Sequence, residues 1–242
     1  MRLKANLAAD AALVVTTLIW GSTFVIAKDI LDYWPPIAYL SFRLTLAALV
    51  LAAVFPKHLF GAGRGEWAAG AVLGLLIGCG FAGQAVGQVY TTPSKSAFVT
   101  GLTTPLVPFV AFALLRVRPS VENMIGVTLA SVGGALILAP GGRGGVNVGD
   151  LITLGCTALF ATHITLVSVY ARRYETRRLT VLQIAAAACV VLGAWLAARL
   201  CVEVFGAEAL PPVVAREAAP LVWSARVVWQ LVYLAIVATV IT

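Results

Sequence analysis

Arg43 stands about seven residues into an apolar run that begins near residue 36, which is roughly 10 Å deep at about 1.5 Å per residue. A guanidinium at that depth is costly unless it snorkels to the headgroups or meets a partner. In the second case it could hold an anion or a carboxylate. Lys95 follows Thr92 and Pro93, a cap and a first-turn proline, so its ammonium sits against the positive end of a helix dipole. Interfacial water would satisfy it there, and so would an anionic group of a bound solute. Ser96, Thr100 and Thr103 recur at i, i+4 and i+7, forming one hydroxyl face. Pro105 and Pro108 follow, and each removes a helix hydrogen bond and frees a carbonyl. Such a face either lines a cavity or joins two helices. Thr16, Trp20 and Thr23 share a second face. Trp20 lies away from the interface where tryptophan usually sits, so it is either core packing or a wall on which a solute stacks. His163 is the one group inside an apolar run that titrates near neutral pH. It is either a buried, hydrogen-bonded histidine or a proton-coupling group. No Asp or Glu lies in the middle of a run.

The elements that carry these residues follow from composition. A chain that is 61% hydrophobic with 11% charge and a mean hydropathy of +0.97 is a multi-pass membrane protein rather than a soluble domain. Apolar spans are expected near 11–28, 36–55, 67–87, 94–115, 123–139, 149–170, 179–199 and 227–242. Within boundary error, seven of them approach the ~20 residues a crossing helix needs. The runs are unbroken rather than alternating, which favours helices over barrel strands. The fold class is therefore all-α, a multi-pass transmembrane bundle in a lipid bilayer.

The net charge of +7 could suggest nucleic acid, but its distribution excludes that. With the N-terminus inside, Arg2, Lys4, Lys57, Arg64, Arg116, Arg118, Arg172, Arg173, Arg177 and Arg178 face one side, against Lys28, Arg143, Arg199, Arg216 and Arg226 on the other. This asymmetry places the N-terminus in the cytoplasm of a cell (inner) membrane protein, and charges spread over short loops make no nucleic-acid face. The first run is long and has no clean small-residue cleavage site, so it is a span rather than a signal peptide. Cys79, Cys156 and Cys189 lie in spans and Cys201 near an end, without C-x-x-C spacing, so they are small buried hydrophobes. No metal or other cofactor is implied. No H-E-x-x-H, Ser/His/Asp cluster or paired acids mark an enzyme.

Residues 10–55 and 150–195 share one hydrophobic plan at an offset of 140. Asp10 falls on Asp150, Trp20 on Phe160, Thr23 on His163, Arg43 on Gln183 and Ala47-Ala48 on Ala187-Ala188. Five spans separate the two starts, so the second copy enters from the opposite side. Inverted repeats are a hallmark of secondary transporters, with a solute site near the midplane between the halves. Residues 1–140 form the first repeat, 141–148 a linker that carries most of the glycine-rich segment Pro140–Gly145, and 149–242 a second repeat. Eight of ten helices are expected, the last cut short near Thr242. Asp10 and Asp150 stand where N-caps belong. Gly70, Gly74 and Gly78, and Gly126, Ala130 and Gly134, repeat every four residues. They are close-packing stripes inside the bundle or, alternatively, the seam of a homodimer. Gln84 and Gln88 are expected at the interface. The mixed charges of loop 200–225 read as a solvated connection.

Leu18-Ile-Trp-Gly-Ser-Thr-Phe24, Phe42-Arg43 with Ala47-Ala48, Thr91-Thr-Pro-Ser-Lys-Ser-Ala97 with Pro105 and Pro108, and Gly126 to Leu138 together resemble the EamA branch of the drug/metabolite transporter superfamily. The resemblance implies ten helices in two inverted five-helix repeats and passage of a small organic metabolite by alternating access. Trp20, Thr23, Arg43, Lys95, Thr100, Thr103 and His163 are then the candidate solute-binding residues, with a small molecule as the partner. A non-transporting membrane scaffold is the competing expectation, and a membrane enzyme a more distant one.

Overall fold

The computed structural model describes residues 2–138 and 145–241, and no strand occurs among them. Residues 141–144 of the expected linker, Arg143 among them, lie outside the described residues. The helices are α1 (Arg2–Ile30), α2 (Pro36–Val54), α3 (Pro56–Phe60), α4 (Arg64–Tyr90), α5 (Pro93–Gly101), α6 (Thr103–Leu115), α7 (Val121–Leu138), α8 (Val148–Tyr170), α9 (Thr176–Phe205), α10 (Pro212–Ala215) and α11 (Ala225–Val232), which continues as a π-helix over Tyr233–Ile241. Among the described residues, six stretches are long and apolar enough to cross a bilayer: Asp10–Ile30, Pro36–Val54, Arg64–Tyr90, Pro93–Leu115, Val148–Tyr170 and Thr176–Phe205. The protein is a multi-pass helical membrane bundle.

The offset of 140 reappears in the backbone. The α1–α2 turn closes with Leu31 N–H to Ala27 O at 3.1 Å, Asp32 N–H to Asp29 O at 3.3 Å, and Tyr33 and Trp34 N–H to Ile30 O at 2.9 Å each. The α8–α9 turn repeats every bond: Ala171 to Val167 at 2.9 Å, Arg172 to Val169 at 3.3 Å, and Arg173 and Tyr174 to Tyr170 at 2.9 Å each. Pro35 and Glu175 then occupy the same cap position. The two turns have no residue in common across the offset. Chain geometry, not side-chain identity, is what repeats.

The third helix of each half crosses to the other half. Helix α4 packs chiefly on α8 and α9, while the π-helix packs on α2 and α1. Glycines of α4 permit this on two faces. A Cβ on Gly74 would stand 2.5 Å from Ala186 Cβ and 2.6 Å from Gln183 O, and one on Gly70 2.5 Å from Leu182 Cβ, all on α9. On the second face, a Cβ on Gly83 would meet Cys156 Sγ at 2.6 Å, and one on Gly80 would meet the Phe160 ring at 2.6 Å. The first stripe is therefore internal packing between halves. Gly126 on α7 has nothing within 4 Å of its Cβ position.

The bundle has two ends. One holds the α1–α2 turn, the last turn of α4 and the start of α11. There Arg226 Nη2 donates to Asp29 Oδ1 at 2.6 Å and Gln230 Nε2 to Asp29 Oδ2 at 2.7 Å. The other end holds α3, the start of α4 and the α8–α9 turn, tied by Arg178 Nη1 to Glu66 Oε2 at 2.9 Å and by His58 with Glu175 at 3.3 Å.

Several local expectations change. Asp10 lies within α1 rather than capping it, because the helix extends back to Arg2. Asp150 is the third residue of α8. Asn147 is the cap, its side chain accepting Asp150 N–H while Asp150 Oδ2 accepts Asn147 N–H, both at 3.0 Å, a reciprocal capping box. The fourth span is broken at Leu102. Pro105 has no N–H for the Gly101 carbonyl, and its ring crowds that oxygen. Pro108, by contrast, is accommodated inside α6.

Loop 206–224 is not a solvated connection. Glu217 is 2% exposed and accepts the N–H groups of Ile37 and Ala38, each at 3.0 Å, satisfying the first turn of α2 where a negative charge suits the dipole. Burial pushes its carboxyl above the usual glutamate range, while those two donors and Arg216 pull it back. Arg216 Nη2 donates to Leu31 O at 2.6 Å and Trp34 Nε1 to Val222 O at 2.8 Å. The loop is thus a lid on the α1–α2 turn.

Candidate functional site

The polar interior is held by α4. Its Phe81, Gln84 and Gln88 lie on successive turns and reach α2, α5 and α1. Gln88 is 3% exposed and donates to Phe24 O at 2.6 Å, so it is a buried tie to α1 rather than an interfacial residue. Gln84 donates to Thr100 Oγ1 at 2.8 Å. Lys28 reaches over the end of α4 and donates to Gln88 O, Val89 O and Thr91 O at 2.6, 3.0 and 3.0 Å, a cation on the unsatisfied carbonyls of a helix C-terminus.

Arg43 turns inward. It is 7% exposed and therefore does not snorkel. Its Nε and Nη2 both donate to Thr239 Oγ1, at 3.2 and 3.1 Å, and its guanidinium lies 5.4 Å from the Phe81 ring centroid. Phe81 meets Phe160 edge-on at 5.4 Å, which carries the cluster from α2 through α4 to α8. One turn along α8, His163 pairs with Gln183 of α9, Nε2 to Oε1, at 2.9 Å. Gln183 is the residue that the offset of 140 sets against Arg43.

Lys95 lies apart, at the end that carries the α1–α2 turn. Thr92 caps α5 and accepts Lys95 N–H at 3.3 Å. The ammonium donates to Gly145 O at 2.7 Å and meets Asp150 Oδ2 at 3.4 Å. Asp150 also accepts the Thr91 hydroxyl. A buried carboxylate opposite Lys95 accounts for a cation placed against the dipole, and it ties α5 of the first half to α8 of the second. Thr103, 7% exposed, and Ser96, fully buried, have hydroxyls without a hydrogen-bond partner, one on each side of the Leu102 break.

On α1 the site is open. Thr23 Oγ1 donates back to Trp20 O at 2.6 Å, and Trp20 is 55% exposed. The structure thus sets Arg43 on the Phe81–Phe160 aromatic path that leads to His163, while Thr100 faces α4, Lys95 guards one end and Trp20 stands on an uncovered face. Two cavities flank this interior. One of about 540 Å³ lies among Thr104, Pro108, Arg118, Asn123 and Ile164. The other, about 340 Å³, is walled by Phe42, Thr45, Trp195, Trp223 and Leu231. Neither is lined by Arg43 or His163.

Sequence reasoning did not single out Phe81, Phe160 or Thr239 as contacts of the candidate residues, and apolar runs carry no signal for them. Asp150 was marked by the repeat and as a cap, not as the partner of Lys95. Gln183 was marked by the repeat but by nothing else.

Residues 7–139, more than half of the chain, match the EamA-like transporter family. The chain belongs to that family. It is also similar to a protein of Archaeoglobus fulgidus named as an uncharacterized transporter, with 32% identity over 167 residues, 69% of this chain and 51% of the relative. This EamA-like chain therefore spans about half the length of the curated relative it matches. Its long apolar helices place this EamA-like chain in a lipid bilayer.

Proposed function

We propose that this chain moves a small organic metabolite, such as an amino acid, amine or drug-like solute, by alternating access, with the two repeats rocking about a solute site between them. The cross-packing supports this reading most strongly. The third helix of each half lies on the first two of the other, so relative motion of the halves must rearrange what α4 and the π-helix enclose. Between the halves lie a buried arginine, a His–Gln pair and a broken helix with two unpartnered hydroxyls. Irregular backbone and polar side chains at membrane depth are tolerated where they are buried in protein or line a path that opens to water.

In this reading Arg43, Thr100, Thr103 and His163 face the solute, Trp20 and Thr23 form the wall on α1, and Lys95 with Asp150 latches one end. The N-terminus is placed in the cytoplasm of the cell membrane. The test is counterflow in proteoliposomes with a panel of labelled amino acids, amines and sugars. Exchange above protein-free vesicles is expected for at least one solute, and it should fall on replacement of Arg43. A folded, reconstituted protein that exchanges none of them would favour the non-transporting scaffold.

A further inference from the structure

Among the described residues, Arg43 is a buried cation with no counter-charge. Among the described residues the ion pairs are His58–Glu175, Lys95–Asp150, Arg178–Glu66 and Arg226–Asp29, and none involves Arg43. Its two hydrogen bonds go to a single neutral oxygen, Thr239 Oγ1, whose own proton is committed to Leu234 O at 2.8 Å. A guanidinium offers five donors in a rigid fork. The other cations drawn into the bundle are compensated differently: Lys95 by Asp150, and Lys28 by three backbone carbonyls. Burying an unpaired charge is expensive.

The fold itself does not demand this charge. The equivalent place in the second repeat is filled by neutral Gln183, on an α8–α9 hairpin whose turn bonds match those of α1–α2. Arg43 is thus a departure from the repeat, and its surroundings suit an oxyanion. Phe81 screens one face of the guanidinium, the remaining donors are fixed on a buried side chain, and a fork of this geometry matches a carboxylate with two parallel bonds.

We infer that the solute carried between the halves is an anion bearing a carboxylate, which pairs with Arg43 and supplies its missing counter-charge. This rests on the transporter reading and narrows it. The experiment is thermal unfolding of the full chain in phosphatidylcholine nanodiscs. The probes are succinate, glutamate and phenylpyruvate, with succinamide and phenethylamine as matched controls at constant ionic strength. A saturable rise in Tm is expected with at least one carboxylate and with neither control. Arg43→Gln, which copies the second repeat, should fold with a Tm no lower than that of the parent and bind the same carboxylate tenfold or more weakly. Arg43→Lys should retain part of the affinity. Three results would overturn the inference: no response to any carboxylate, a response that survives Arg43→Gln, or stabilisation by phosphatidylglycerol in place of any solute, which would make the anion a lipid headgroup. Counterflow of a neutral or cationic solute that ignores Arg43→Gln would leave the carrier standing and remove the anion. Carboxylate binding without any flux would do the opposite.

Discussion

At the scale of single residues, Lys95 shows how much depends on what lies opposite. Read from its helix position alone, its replacement should not harm folding, because a cation in the first turn opposes the dipole. With Asp150 3.4 Å away and the two side chains only 10% and 2% exposed, the expectation reverses. Lys95→Gln should leave a buried carboxylate without its cation and cost about 3 kcal/mol, the low end for a broken buried pair, since Thr91 and Asn147 still donate to Asp150. Adding Asp150→Asn should recover part of that loss. Equilibrium unfolding of the two variants in detergent measures it. An unchanged midpoint in Lys95→Gln would mean that the pair contributes nothing. The partner was hidden in the sequence because 55 residues separate the two groups, and because Asp150, next to an apolar run, read as an N-cap. Only the backbone shows that the cap sits three residues earlier, at Asn147. Arg43 was legible as a costly side chain, but not the choice between headgroups and interior, which depends on Phe81 and Thr239 arriving from distant elements.

At the scale of elements, apolar runs and turn residues made most of the bundle legible. Thr92-Pro93 marked the start of α5. The break at Leu102 was half visible. Pro105 and Pro108 both threaten the helix, yet only the carbonyl crowded by Pro105 ends it. The loop over the α1–α2 turn was not legible, because the use of Glu217 as a cap for α2 depends on a fold-back across 180 residues. The glycine stripes separate in the same way. Both repeat every four residues; that of α4 is filled by a neighbour, whereas Gly126 of α7 faces open space. Gly74→Ala would drive a methyl to 2.5 Å from Ala186 Cβ and 2.6 Å from a carbonyl. It should cost about 1–3 kcal/mol by overpacking. Gly126→Ala enters open space and should be neutral or stabilise by about 0.5–1 kcal/mol, since alanine favours the helix. Melting temperatures of the two variants in one nanodisc preparation decide this. Equal losses would mean that α7 is packed as closely as α4.

At the scale of the whole molecule, two hairpins with matching bonds and no shared turn residue meet through crossed third helices. The 31–35 turn and the 171–175 turn lie at opposite ends of the bundle, and the proposed reading, with its asymmetry of Lys and Arg, puts the second on the cytoplasmic face. The native cysteines 79 and 189 are exposed, so a background in which all four cysteines are replaced is needed. In intact cells, a membrane-impermeant maleimide should label Tyr33→Cys at once and Arg173→Cys only after permeabilisation. Labelling of both positions from the outside, or of neither, would contradict the inverted repeat on which the account stands.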